Sequence, residues 1–168
     1  MFMSKPVCIV VGVGPGLGGA LVRRFAQGGY AVAAISRGQA GLDAVTEGVA
    51  NCRTYACDTT DGRQVAETLT RIQSDMGEPT ALMYNSGSGT RGSIRDVTPE
   101  DFMATLEINA LGLFHWAKDL APAMAASEGG GVIGVTGATA SLRGKPLTTA
   151  FAAGKAAQRS LAQSLARD

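Results

Sequence analysis

Five short apolar runs punctuate the chain, at residues 7–11, 31–35, 54–57, 81–84 and 132–135. None shows the strict apolar/polar alternation of a strand with one wet face. Runs that are apolar on successive residues belong to strands covered on both sides, the signature of a parallel sheet between helices. The intervals carry helical spacing instead. Leu17, Leu21 and Phe25 fall on one face, as do Leu42, Val45 and Val49, then Val65, Leu69 and Ile72. A longer helix, 98–124, begins at Thr98-Pro99-Glu100-Asp101, with threonine as N-cap and proline in the first turn. Its stripe reads Phe102, Leu106, Asn109, Leu113, Trp116, Leu120, and a last helix runs from about Thr149 to Leu165. The pattern βαβαβαβαβα predicts an α/β fold, a three-layer, doubly wound parallel sheet. With no repeat, linker or low-complexity tract, residues 1–168 are expected to form one domain.

Composition narrows the function. Hydrophobic residues make up 45% and charged residues 17% of the 168, enough to fill a core and too apolar for disorder. Fifteen Lys and Arg balance fourteen Asp and Glu, which argues against nucleic acid as a partner. No apolar run approaches the roughly 18 residues of a membrane span, so no membrane partner is expected. Residues 7–11 run into glycines, not a cleavage site, and read as a strand, not a leader. Cys8, Cys52 and Cys57 are an odd set without a Cys-x-x-Cys pair. That suits a reduced, cytoplasmic protein and offers no metal site. The 23 glycines and 27 alanines, beside 5% aromatics, point to elements packed backbone against backbone.

The chemistry is concentrated where strands end. Gly12, Gly14, Gly16, Gly18 and Gly19 crowd the first strand-to-helix turn, around Leu17. Glycines there let the backbone approach a diphosphate, and the helix start attracts its charge. Two registers fit, Gly14-x-Gly16-x-x-Gly19 and Gly12-x-x-x-Gly16-x-Gly18; the second places its first glycine directly after the strand and is preferred. The second strand runs into Ser36-Arg37, with no acid to hold a ribose diol. Arg37 is suited to a 2′-phosphate as a planar bidentate donor, with Ser36 adding a hydroxyl, so the expected cofactor is NADP(H). Asp58 closes the third strand, placed either to accept from an adenine amino group or, with Asp61, to cap the next helix. Cys57 has no basic neighbour and reads as packing. Asn85 and Gly87 form a further tight turn. Asn109 interrupts an apolar stripe, either as a site residue or as a polar register pin between helices. Lys155 lies on a small-residue face, either snorkelling or held by a ligand's oxygens. His115 reads as structural.

These residues resemble the short-chain dehydrogenase/reductase family over essentially the whole chain. Gly12-x-x-x-Gly16-x-Gly18 is similar to its cofactor motif, Asp58 to its adenine-contacting acid, and Tyr84-Asn85-Ser86-Gly87 to its Asn-Asn-Ala-Gly turn. Asn109 and Lys155 fall on its active-site Asn and Lys. The resemblance implies a Rossmann-type oxidoreductase acting on a small-molecule carbonyl or alcohol. Gly12, Gly16, Leu17, Gly18, Ser36, Arg37, Asp58, Asn85, Gly87 and Lys155 would bind the cofactor. Asn109 and Lys155 would be the catalytic positions. The stripe Phe102, Trp116, Leu120 and the small face Ala152, Ala153, Ala156 carry more apolar area than one sheet face needs and are expected to pair subunits. The resemblance implies a homodimer or homotetramer paired through the same two helices, 98–124 and the last. Two positions depart from the family. Its tyrosine acid is Phe151 here, and its substrate-polarising serine is Ala138. A catalytically silent NADPH-binding scaffold or sensor is therefore the alternative. The family continues for two more strands, so the fold is expected to be short at its C-terminus, by truncation, with an uncovered fifth strand.

Overall fold

The computed structural model describes residues 5–89 and 91–167. Five strands, β1 (Val7–Val11), β2 (Ala31–Ser36), β3 (Cys52–Ala56), β4 (Pro79–Tyr84) and β5 (Val132–Val135), form one sheet in the order β3-β2-β1-β4-β5. Every pairing is parallel. The connections are α1 (Leu17–Gln27), α2 (Gln39–Thr46), α3 (Gly62–Met76), α4 (Pro99–Leu106) and α5 (Gly112–Ala126), and α6 (Thr149–Leu165) follows β5. The doubly wound parallel sheet read from the sequence is the fold observed.

Successive residues of β1 point to opposite faces, which explains its unbroken apolar run. Cys8 and Val10 join Val22, Val32, Ala34 and Leu42 beneath α1 and α2. Val7, Ile9 and Val11 join Leu69, Ile72, Leu113, Trp116 and Leu120 beneath α3 and α5. β3 starts and ends earlier than its hydrophobic pattern suggests. Cys57 lies just past it, its N–H donating to the Ser36 carbonyl at 2.9 Å. β4 begins at Pro79, a first-strand position that needs no N–H donor.

The helix expected over 98–124 is not continuous. Thr98 caps α4 as its sequence predicts, accepting the Asp101 N–H at 3.1 Å. Residues Glu107–Leu111 then form a π-helical turn before α5 resumes. A π turn inserts one residue into the helical ladder and redirects the helix beyond it. The phenol of Tyr84, at the end of β4, donates to the Ile108 carbonyl inside that turn.

The stripe itself also needs correcting as a subunit surface. Trp116 and Leu120 are buried against this chain's own sheet, so they are spent on the core. The apolar side chains left exposed on these helices are Met103, Leu111 and Phe114.

Burial raises several acidic side chains: Cys8 from 9.0 to about 12, Cys52 from 9.0 to about 11, and Tyr55 from 10.0 to about 12. A group raised on folding adds stability that is whole below its unfolded value and is lost as pH climbs to the folded one. Cys57 and Tyr84 are raised by burial as well, while Lys155, lowered by burial, works in the opposite sense below 10.5, one group against five. The urea midpoint should hold steady to about pH 8.5 and fall between about pH 9 and 12. Cys8→Ala with Cys52→Ala should flatten that fall relative to its own neutral-pH midpoint.

Candidate functional site

After β3 the chain crosses to the far side of β1 to form β4, so the connections from β1 and β4 lead to helices on opposite faces of the sheet. That switch point is where open α/β sheets form their binding crevice. Here it holds a cleft of about 370 Å³ between the ends of β1, β2, β3 and β4 and the start of the π turn.

The glycine turn reaches the cleft through Gly12, and its glycines do different things. Gly12 has φ +87°, and a Cβ there would lie 2.5 Å from the Ser86 nitrogen. A Cβ on Gly18 would strike the Gly12 carbonyl. Gly19 abuts Val45 and the Gly14 carbonyl. Gly14 and Gly16 have open space where a side chain would stand. So Gly12 and Gly18 close the turn, while the Gly16 backbone stays clear for a ligand. The first N–H groups of α1, behind exposed Leu17, receive no side-chain cap.

Ser36 and Arg37 also line the cleft. Arg37 is exposed and makes no ion pair among the described residues. The two aspartates separate cleanly. Asp61 caps α3, accepting from the Arg63 and Gln64 N–H groups at 2.9 and 3.1 Å, which holds its carboxyl below the usual range. Asp58 lines the cleft and accepts the Thr60 N–H and hydroxyl at 2.9 and 2.8 Å through one oxygen. Cys57 is buried, its thiol raised by that burial. His115 contacts the Thr59 carbonyl at 3.2 Å through Nδ1.

A hydrogen-bonded chain crosses the floor. Asn85 Nδ2 donates to the Gly12 carbonyl and its Oδ1 accepts from the Thr136 hydroxyl, each at 2.9 Å. The Thr136 carbonyl accepts from Lys155 Nζ at 2.9 Å, and Lys155 also donates to Gln158 Oε1 at 2.9 Å. Burial lowers the Lys155 pKa.

Asn109 sits in the π turn, fully buried, its Nδ2 donating to the Thr105 carbonyl at 2.8 Å. Its Oδ1 has no protein partner. Oδ1 and Lys155 Nζ both lie 3.2 Å from where a Gly87 side chain would begin. The structure therefore brings Asn85, Gly87, Asn109 and Lys155 together, with Asn109 between the Gly87 loop and Gly154 of α6. Ala138 and Phe151 are half-buried in the segments behind β5 and at the start of α6.

The model of the short chain dehydrogenase family matches residues 6–168. The chain belongs to the short-chain dehydrogenase family. It is 28% identical to a 3alpha-hydroxysteroid dehydrogenase of Mediterraneibacter gnavus, covering all of this chain and 69% of that protein. It is 27% identical to a 3-oxoacyl-[acyl-carrier-protein] reductase of Thermotoga maritima, covering 93% of this chain and 65% of that one. An alcohol dehydrogenase of Thermococcus sibiricus, solved with 5-hydroxy-NADP, shares the fold with a TM-score of 0.89 at 23% identity, over 96% of this chain and 70% of that one. The chain thus spans about two thirds of the length of these relatives. Members of the family bind a nicotinamide dinucleotide, and the open Gly16 backbone beside an unpaired arginine fits one.

Sequence reading missed the support beneath Asn109. Thr59 accepts from Trp116 Nε1 at 3.0 Å and lies 3.4 Å from the Tyr84 phenol. Gly112 leaves room for both, since a Cβ there would lie 2.9 Å from Thr59 Oγ1. Only the tyrosine within an otherwise familiar turn hinted at this. Tyr84→Phe leaves the Ile108 carbonyl short of a donor and should cost about 1–3 kcal/mol. Calorimetry should show a melting temperature lower by about 2–10 °C, with faster amide exchange at 107–111. Gly12→Ala should be more damaging, because neither loop can move back without breaking the Asn85 bond.

Proposed function

We propose that the chain is the nucleotide-binding and catalytic core of an NADP(H)-dependent oxidoreductase acting on a small carbonyl or alcohol. The observation that carries this reading is a switch-point cleft lined by Gly12, Arg37 and Gly87, with the open Gly16 backbone in the turn that Gly12 begins and the buried Lys155 ammonium against Gly87. Gly12, Gly16, Leu17 and Gly18 cradle the diphosphate at the start of α1. Ser36 and Arg37 take the 2′-phosphate. Asp58 accepts from the adenine amino group through its second oxygen, since the first holds Thr60. Asn85 and Gly87 form the floor beneath the nicotinamide ribose. Lys155 donates to a ribose hydroxyl, and Asn109 Oδ1 accepts from water or ligand beside it. The bound dinucleotide supplies a hydride.

The proton is the weaker half of this chemistry. Phe151 has the shape of the family's tyrosine without its hydroxyl, and Ala138 has no group to hold a substrate oxygen. Loss of a positioned acid costs about 10²–10⁴ in rate, so slow turnover or silent binding is the consequence for ketones. Met103, Leu111 and Phe114, exposed on α4–α5, are the face through which we place a homodimer or tetramer. The three free cysteines fit a reduced, cytoplasmic setting, and residues 1–168 act as one domain.

Isothermal calorimetry should show NADPH binding about ten- to a hundredfold more tightly than NADH, with Arg37→Ala erasing the difference. Equal affinities in the unaltered chain would sink the NADP reading. Phe151→Tyr alone should add little turnover, whereas Phe151→Tyr with Ala138→Ser should exceed the product of the single effects, because groups acting as a unit are not additive. NADPH oxidation with a ketone and quinone panel checks this. Unaltered protein as fast as the double variant would mean another donor serves, with Ser141 and Thr148 the first hydroxyls to remove.

A further inference from the structure

Among the described residues Lys155 is the only charged side chain in the interior, 5% exposed. A buried ammonium is costly unless its N–H groups find acceptors. Two are satisfied, by the Thr136 carbonyl and by Gln158 Oε1. Both acceptors are neutral, and no carboxylate pairs with Nζ. The charged groups on the elements packed around it are exposed: Glu100 and Asp101 on α4, Glu107 in the π turn and Arg159 on α6. The end of β5 and the loop behind β4 bring Thr136, Asn85 and Gly87, none of them titratable.

Gln158 stands one helical turn beyond Lys155 and is 1% exposed. The lysine decides which way its amide faces, since the reversed amide would present NH₂ to an ammonium. The far end is left with the penalty: Nε2 is buried without an acceptor. A leucine or methionine there would avoid that penalty, so the amide destabilises its own surroundings in order to hold the lysine.

We propose that Gln158 is the positioning residue for Lys155. Its carbonyl oxygen keeps the ammonium charged and directed toward Gly87 and Asn109, and, being neutral, leaves that charge uncompensated for a ligand's hydroxyl or phosphate oxygen. The third N–H of Lys155 is the one free to donate. The ligand in this inference rests on the nucleotide-binding reading above; the state of the lysine does not.

The two parts are read separately in the full chain. The first reading is the ¹⁵N NMR titration of Nζ without nucleotide, Lys155 being assigned by the signal lost in Lys155→Met. The second is NADPH affinity by calorimetry. Gln158→Leu should lower the Lys155 midpoint by about one pH unit and weaken NADPH about five- to tenfold. Gln158→Glu should raise the midpoint and also weaken NADPH, since a carboxylate neutralises the cation. Gln158→Met repeats the leucine test with a flexible side chain should leucine not fold. A folded Leu or Met variant with an unchanged Lys155 midpoint overturns the proposal, whether or not nucleotide binds. A shifted midpoint with unchanged NADPH affinity overturns its ligand-facing half. Unaltered protein that binds no NADPH refutes the nucleotide reading and leaves the lysine titration as the deciding measurement.

Discussion

The loops behind β1 and β4 can meet only because Gly12 has no side chain. With φ at +87° and the Ser86 nitrogen against the position a Cβ would take, the two carboxyl ends of the central strands touch backbone to backbone. The Asn85 amide locks that approach by donating to the Gly12 carbonyl. From this contact the rest of the site is hung. Gly18 seats α1 on the same carbonyl, Thr136 reaches Asn85 from the end of β5, and Lys155 reaches Thr136 from α6. One side-chain-free contact thus fixes three elements whose residues are far apart in sequence.

The charge distribution follows a similar economy. Beside the cleft, Asp58 stays at the rim and Asp61 caps α3, while among the described residues the interior holds one cation, Lys155, and neutral amides. On the nucleotide-binding reading proposed above, an anionic ligand would meet the helix start, Arg37 and Lys155 without displacing a built-in counter-ion.

The fold was legible because its signals are local. Unbroken apolar runs named the parallel strands, and Thr98-Pro99 named the start of α4. The glycine turn and Arg37 were legible because strand ends line the crevice of this architecture. What stayed hidden depends on contacts between distant residues. No periodicity announces a π turn, since its cause includes a tyrosine more than twenty residues upstream donating to the Ile108 carbonyl. Trp116 and Leu120 looked available for a partner because a sequence cannot show how wide a face the sheet will cover. Nothing in the sequence around Gln158 marks it as buried, because its burial is set by α6 lying against α4 and the π turn.

The π turn also makes the register of this long helix adjustable by a single residue. Leu113, Trp116 and Leu120 on its far side are anchored in the core beneath the sheet. Deleting one residue from Glu107–Leu111 would restore a regular helix without disturbing that anchor. The segment before the deletion would keep its orientation about the helix axis, because a π turn takes up its extra residue with little net rotation. The capped start at Thr98 would stay where it is, and what would be lost is the bulge that sets the Asn109 amide against Gly154. In an insertion and deletion scan of this chain, the segment is therefore a hinge of sequence length, where core and site respond to the same change independently.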